Sequence, residues 1–438
     1  MNIQHPTFNF ERIKRDIARY VERQRDMLTD LVQRLVEIPS ENTPPGGGEY
    51  KAQIFIRRFC GRLPVQCRLV DLKRVRDLPR HPAYMSGRDY AGRPNFIARL
   101  KGNGPGRSLL LSGHVDTMPV GDAAWSRDPF GGAISRGRLY GRGAYDMKGG
   151  LAAQLMALKC LTELGIGLKG DLLFESVVDE EHAGCNGTLA NRLIGHNADA
   201  AILAEPTNMR VYPAHKGFRI IHLTIKGKSG MSFGGEQLVN PVEHVGRLIS
   251  AIGRFRDLRR KKTRVPPIYR DDPDPVPVFM PKLQAGEFSY RAPMCIPDRC
   301  KLEVYWQTMP GESQAKVERE FFSFLRKWRS KDAFFKQDVL EWSFSHRWLP
   351  GTGISAKHEL VQTVKINSEH VLRKTVPVQG APYPCDLFIF NLYGRAPALA
   401  LGPGGGNAHG ADEFVNVRDL TALARIYAGI AVDWCGVA

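Results

Sequence analysis

The chain has 438 residues, with 62 Lys and Arg against 45 Asp and Glu for a formal net charge of +17, and is 43% hydrophobic and 24% charged. That length exceeds what one hydrophobic core usually serves, so two domains are expected, and the composition excludes a disordered or collagen-like chain. No apolar run approaches the ~20 residues of a membrane span, and the opening MNIQHPTFNFERIKRD lacks the apolar stretch of a signal peptide.

Apolar residues at helical spacing from Ile13 to Leu35 predict a helix over residues 10–38, stopped by Pro39. The turn-rich SENTPPGGGE (40–49) follows, then a second helix reaching about Arg62. Residues 95–102 and 107–116 read as strands around a Gly-rich turn. Residues 149–165 form a helix with Leu151, Leu155, Leu158 and Leu161 on its apolar side. DLLFESVV (171–178) and AAILAE (200–205) are apolar runs of buried-strand length. This alternation predicts an α/β domain: an open mixed sheet with helices on both faces.

From about His215 the texture changes. A strand (218–227), a helix (242–255), a Pro-rich charged stretch, a strand from Cys300 and a helix (313–328) give a β-α-β-β-α order, that of a smaller α+β domain. After Pro350 the α/β pattern resumes and ends in a helix over 418–434. The expected organisation is therefore residues 1–214 and 349–438 as one domain, with 215–348 inserted into it. The dense basic run RFRDLRRKKTR (254–264) carries no nucleic-acid recognition signature and reads as a solvated surface. No nucleic-acid or membrane partner is expected. Eight scattered cysteines form neither a disulfide framework nor a zinc-type CxxC pair, and suggest reduced thiols in a cytoplasmic protein.

Five segments at the ends of strands carry chemistry. SGHVDTMP sets His114 and Asp116 two apart, on one face of a strand. GRLYGRGAYDMKGG presents Asp146 between a Gly-rich turn and a helix start. SVVDEEHAG places Glu180 and Glu181 directly after a buried strand. LAEPTN ends another apolar run at Glu205, and LGPGGGNAHGADEF holds His409 in a Gly-rich loop. Each has a plainer explanation alone; Asp146, for instance, could simply cap the helix after it. Together they make a mixed nitrogen and oxygen ligand set suited to zinc, manganese or cobalt, with more ligands than one tetrahedral ion needs. Ligand sites in open sheets gather at such strand ends.

These segments, with WSRDPFGG, DEEHAGCNGT and the opening LVQRLVEIPSENTPP, resemble the dinuclear metallopeptidase and deacylase family of acetylornithine deacetylase, succinyl-diaminopimelate desuccinylase, aminoacylase and the glutamate-releasing carboxypeptidases. The resemblance spans nearly the whole chain. It implies two divalent ions per subunit, with Asp146 bridging them, His114 and Glu205 completing one site, and Glu181 and His409 the other. It further implies Glu180 as the general base toward a metal-activated water and Asp116 as the carboxylate that orients His114. The implied activity is hydrolysis of a C–N bond in a small carboxylate-bearing substrate. The inserted domain is implied to be a lid and the contact of a homodimer or higher homo-oligomer.

Two departures from the family lie in that insert. The family's lid usually carries a histidine in a motif like G-x-x-A-H-A-S, where this chain has GKSGMSFGG with Met231. The family's D-x-R before a P-G-E turn is here VYWQTMPGE, with Gln307; Asn240 matches the family's N-A-I segment. Met231, Asn240 and Gln307 are thus the candidate substrate-binding residues, with His215, His244 or Arg291 as possible substitutes for the missing groups. The departures also leave two alternatives. One is a hydrolytic deaminase of an aromatic amine, resembling 5-nitroanthranilate aminohydrolase, which needs no carbonyl oxyanion donor. The other is an inactive, metal-free binding protein.

Overall fold

The computed structural model describes residues 6–438, with side chains from residue 10. Residues 1–5, part of the opening stretch read above for a leader, lie outside the described residues. The described chain divides into two compact units. Residues up to Ala214, Gly353–Ala381 and Cys385–Ala438 form the first, and His215–Thr352 with Pro382–Pro384 the second. Among the described residues no helix is long and apolar enough to cross a membrane. All eight cysteines are free thiols.

Where the sequence predicts one helix over 10–38, the structure has two, α1 (Pro6–Arg23) and α2 (Arg25–Val36). They are parted at Gln24, whose φ of −97° and ψ of 11° leave the helical region. The apolar spacing runs through this break, so no sequence signal marks it. Next come α3 (Tyr50–Cys60), β1 (Gln66–Val70), β2 (Asn95–Leu100), β3 (Leu109–His114), α4 (Gly149–Glu163), β4 (Leu172–Val177), α5 (Asn186–Leu193), β5 (Ala200–Leu203) and β6 (Val211–His215). Every residue of β3, β4 and β5 is buried, the signature of strands covered on both faces.

The second unit runs β7 (Gly217–Lys226), α6 (Val242–Lys262), β8 (Val278–Ala285), β9 (Arg299–Thr308), α7 (Gln314–Arg329) and β10 (Leu340–Phe344). Its antiparallel sheet has the order β8-β9-β7-β10. Alternate residues of β7 and β9, among them Ile221, Leu223, Leu302 and Val304, pack with Leu248, Ile252 and Phe255 of α6 and Val317 and Phe321 of α7. The sequence reading leaves out β10, although Leu340, Trp342 and Phe344 alternate there with polar residues; three of its five residues are exposed.

The first unit resumes with α8 (Glu359–Leu372), β11 (Val378–Ala381), β12 (Ala398–Ala400) and α9 (Val417–Cys435). Its sheet has the order β6-β12-β5-β3-β4-β2-β1, with β11 also pairing β6. The four central strands β12, β5, β3 and β4 are mutually parallel, flanked by antiparallel neighbours. Register places the chemistry. Ser112 faces Leu203, so His114 and Glu205, two residues further on each strand, stand level. His114 in turn pairs Val177, which brings Glu180 and Glu181 just past the same edge.

Helix α4 approaches this edge closely because it begins with two glycines. A Cβ on Gly150 would lie 2.3 Å from the main-chain oxygen of Ala204, next to Glu205. Gly150→Ala is therefore expected to cost about 1–3 kcal/mol, as overpacking does. The check is a lower denaturant midpoint at unchanged slope; an unmoved midpoint would show that the helix is free to retreat.

Candidate metal centre

Six of the residues singled out in the sequence converge at the carboxyl ends of the parallel strands. His114 closes β3, Glu180 and Glu181 follow β4, Glu205 follows β5, Asp146 precedes α4, and His409 lies in the loop after β12. The two oxygens of Asp146 face different imidazoles: Oδ1 is 3.2 Å from His114 Nε2, and Oδ2 is 3.3 Å from His409 Nε2. Glu181 Oε2 is 2.7 Å from His409 Nε2, while its Oε1 accepts from the Met118 N–H. Glu180 Oε2 is 3.9 Å from His114 Nε2. One ligand atom from each of His114, Glu180 and Glu205 lies within 4.8 Å of the others, and the same holds for His114, Asp146 and Glu181.

The donor set fits a pair of divalent cations. Ligands of one tetrahedral zinc at ~2.1 Å stand about 3.4 Å from each other, close to the Asp146 separations of 3.2 and 3.3 Å. Electrostatics point the same way. Burial, reinforced by Glu205, pushes Glu180 well above the usual carboxylate range, and burial does the same to Glu205. The charge of Glu181 raises His409 to about 11. Against the opposing push of burial, hydrogen bonds from His114 and His409 hold Asp146 below the usual range. Four carboxylates crowded around two imidazoles form a nest for positive charge. His114 is 1% exposed, whereas the His409 side chain is 46% exposed, so the centre is open on the His409 side.

Buried neighbours hold these segments. His114 Nδ1 is 2.9 Å from the main-chain oxygen of Asp116 and 3.7 Å from its carboxylate. Asp116 Oδ2 accepts the N–H groups of both Glu180 and Glu181, at 2.9 and 3.1 Å. The sequence pattern assigns the Asp116 carboxylate to His114 alone; its grip on the Glu180–Glu181 turn emerges only from the fold. Nor does the sequence pattern single out Glu413, although it stands in the same Gly-rich motif as His409. Its Oε1 accepts the N–H groups of Tyr145 and Asp146, and its Oε2 those of Gly143 and the Arg142 guanidinium. The loop bearing Asp146 is thus tied to the loop bearing His409. Asp386, which no sequence pattern marks, lines a small cavity with His114, Glu180 and Glu205. It is bonded to Thr188, and burial raises it to about 6.

The three candidates in the second unit are not part of this cluster of ligand atoms. Met231 is exposed in the segment after β7. Asn240 accepts from the Val242 N–H and donates to Glu243 at the start of α6. Gln307 lies near the end of β9, donating to the Tyr305 hydroxyl at 3.4 Å, and its Oε1 is buried with no hydrogen-bond partner. Of the possible substitutes, His215 is buried against Thr352 Oγ1, and burial lowers it to about 3. His244 packs on Phe334, and Arg291 is exposed on a loop.

A large mixed sheet whose strand ends gather imidazoles and carboxylates defines a metallohydrolase of the open α/β type. Residues 110–433 match the model of peptidase family M20/M25/M40, and the chain belongs to that family, whose members hydrolyse amide-type C–N bonds. It is 28% identical to N-formyl-4-amino-5-aminomethyl-2-methylpyrimidine deformylase of Halalkalibacterium halodurans, over 96% of this chain and 97% of that protein. It is 29% identical to acetylornithine deacetylase of Klebsiella pneumoniae, over 78% of this chain and 83% of that one. In fold it is similar to the Bacillus subtilis YXEP protein, described as a dinuclear metal-binding peptidase of family M20. The TM-score there is 0.62 at 17% identity, over 94% of this chain and 99% of that one.

Proposed function

We propose that this chain hydrolyses the amide bond of a small N-acyl amine with two divalent ions, zinc, manganese or cobalt. In this reading Asp146 would serve both ions, His114 and Glu205 would complete one site, and Glu181 and His409 the other. The observation that carries it is the Asp146 carboxylate, whose two oxygens are turned to two different imidazoles. When bound, the ions supply Lewis acidity that lowers the pKa of water toward neutrality and polarises the acyl group. Glu180, whose Oε2 lies 3.9 Å from His114 Nε2, takes the proton of the attacking water and delivers it to the leaving nitrogen. Asp116 and Glu413 hold the main chain beneath Glu180, Glu181 and Asp146, so the acid–base group and its neighbours need not reorganise as charge develops.

Small acyl groups are favoured by similarity to a deformylase over nearly the whole chain and to a deacetylase over most of it. The test is a hydrolysis screen of the manganese- or zinc-loaded protein. It sets N-formyl aminomethylpyrimidine, N-acetyl and N-succinyl amino acids and short peptides against 5-nitroanthranilate. Release of a primary amine from an N-acyl compound is expected. Turnover of the aromatic amine alone overturns the amide reading in favour of the deaminase. No turnover together with no retained metal leaves the binding protein.

A further inference from the structure

The segment Ser40–Asn42 precedes every residue of the proposed centre, and the sequence shows it only as a turn. In the fold it is laced to the end of β3. Ser40 Oγ donates to the Val115 carbonyl at 2.6 Å, the Thr117 N–H to Ser40 O at 3.0 Å, and the Asn42 N–H to Thr117 O at 2.8 Å. Asn42 is wholly buried, and so are the two carboxylates it meets, Asp116 and Asp179. Its single Nδ2 donates to both, at 2.9 Å to Asp116 Oδ2 and 3.1 Å to Asp179 Oδ1. Its Oδ1 accepts from Arg93 Nη2 at 3.4 Å, and Arg93 is itself paired with buried Glu49. Asp179 also receives the Tyr90 hydroxyl and lies 3.5 Å from Arg88 Nε.

Two buried carboxylates this close repel strongly in a poorly polarisable interior. The Arg88 and Arg93 guanidinium groups, 3.5 and 3.9 Å from Asp179 Oδ1, offset part of its charge. A carboxamide has two N–H donors, one for each acid, and no net charge. Asp116 and Asp179 are also the two groups that place the Glu180–Glu181 turn. Asp179 immediately precedes Glu180 in the chain, with a positive φ of 66°. Asp116 Oδ2 holds the N–H groups of both glutamates.

We propose that Asn42 is a positioning residue of the metal centre. Its amide clamps Asp116 to Asp179, and through them fixes where the Glu180 and Glu181 side chains leave the main chain. This rests on the proposed roles of Glu181 as ligand and Glu180 as base. The side-chain bonds of Asn42 go to Asp116, Asp179 and Arg93, and the residue acts through the carboxylates behind the turn.

The test compares Asn42→Ala, Asn42→Asp and Asn42→Ser with the wild-type full chain. Zinc and manganese affinities come from chelator competition, the visible spectrum from the cobalt-loaded protein, and kcat and KM from steady-state rates. Asn42→Ala is expected to weaken one of the two metal sites 10–100-fold, the range typical of groups that orient ligands. The cobalt spectrum should change, and kcat should fall with KM within about twofold. Asn42→Asp keeps the shape but replaces the donor with a third acceptor, so it should lose at least as much as Ala. Asn42→Ser, whose hydroxyl serves one acid, should fall between. A space-filling role predicts the opposite order, with Asp the best tolerated. Metal affinities and cobalt spectra like wild type in the folded variants overturn the clamp, as does wild-type affinity in Ser should Ala and Asp fail to fold. Affinity is read without turnover, so an active Glu180→Gln would remove the base while a weakened site in Asn42→Ala still upholds the clamp.

Discussion

Glu180→Gln is expected to lower kcat about 10²–10⁴-fold while the protein still holds two metal ions, the range a positioned general base contributes. Glutamine matches glutamate in size and keeps the main-chain N–H that donates to Asp116, so the turn stays in place. What disappears is the group proposed to accept the proton of water. The change also removes a carboxyl whose ionisation in the folded chain is disfavoured by burial and by the charge of Glu205. The metal-free variant should therefore unfold at a higher temperature than metal-free wild type near pH 8, although it is the less active enzyme. Initial rates, metal analysis and thermal melts of both proteins check this. Retention of more than about a tenth of wild-type activity would mean that the proton leaves by another group.

Removing the metals should abolish turnover and make stability fall as pH rises. Glu180 and Glu205, ordinarily near 4.5, are held well above that value in the folded, metal-free chain. Such acids keep their protons in the folded state where the unfolded chain has lost them. Stability relative to acid pH therefore declines once pH passes 4.5, and goes on declining through the folded values. His409, ordinarily near 6.5 and raised to about 11, acts in the same direction: its contribution is complete below 6.5 and drains away above it. Asp146, held low, adds stability above 3.8 and loses it only in stronger acid. Bound ions replace the missing positive charge, each adding about 2.7 kcal/mol at a hundredfold excess over its Kd. Melts of chelated and metal-loaded protein from pH 5 to 9 should thus diverge steadily. A metal-free melting temperature that is flat or rises across that window would show that the carboxylates do not crowd one another in solution.

The central strands were legible because their chemistry is written as contrast. Leu109 to His114 is an unbroken buried run closed by an imidazole, and Ala200 to Leu203 is another, with Glu205 two residues on. Parallel register then makes those two ends level without any long-range knowledge. The supports were harder to see, because hydrogen-bond partners far apart in the chain leave no periodic trace. Asn42 and Asp116 are 74 positions apart, and Asp146 and Glu413 are 267 apart. The break at Gln24 passed unseen because the apolar stripe continues across it. Strand β10 did so because its alternation of Leu340, Trp342 and Phe344 with polar residues lasts only five positions. The distinct texture of the insert was plain, but Pro382–Pro384, which group with the second unit, carry no mark of it.

The path of the chain at the insert has a consequence for how such a protein can change over evolutionary time. The first unit is left after Ala214 and rejoined at Gly353, and Ile354 donates to Pro213 O at 2.9 Å, so exit and return lie side by side. To the first unit, everything between is a bridge of fixed, short span. His114, Asp146, Glu180, Glu181 and Glu205 come before that bridge and His409 after it. The intervening sequence can drift without asking any of the six to move. The strand-end cluster and the composition of the appendage are in this way free to change independently of one another.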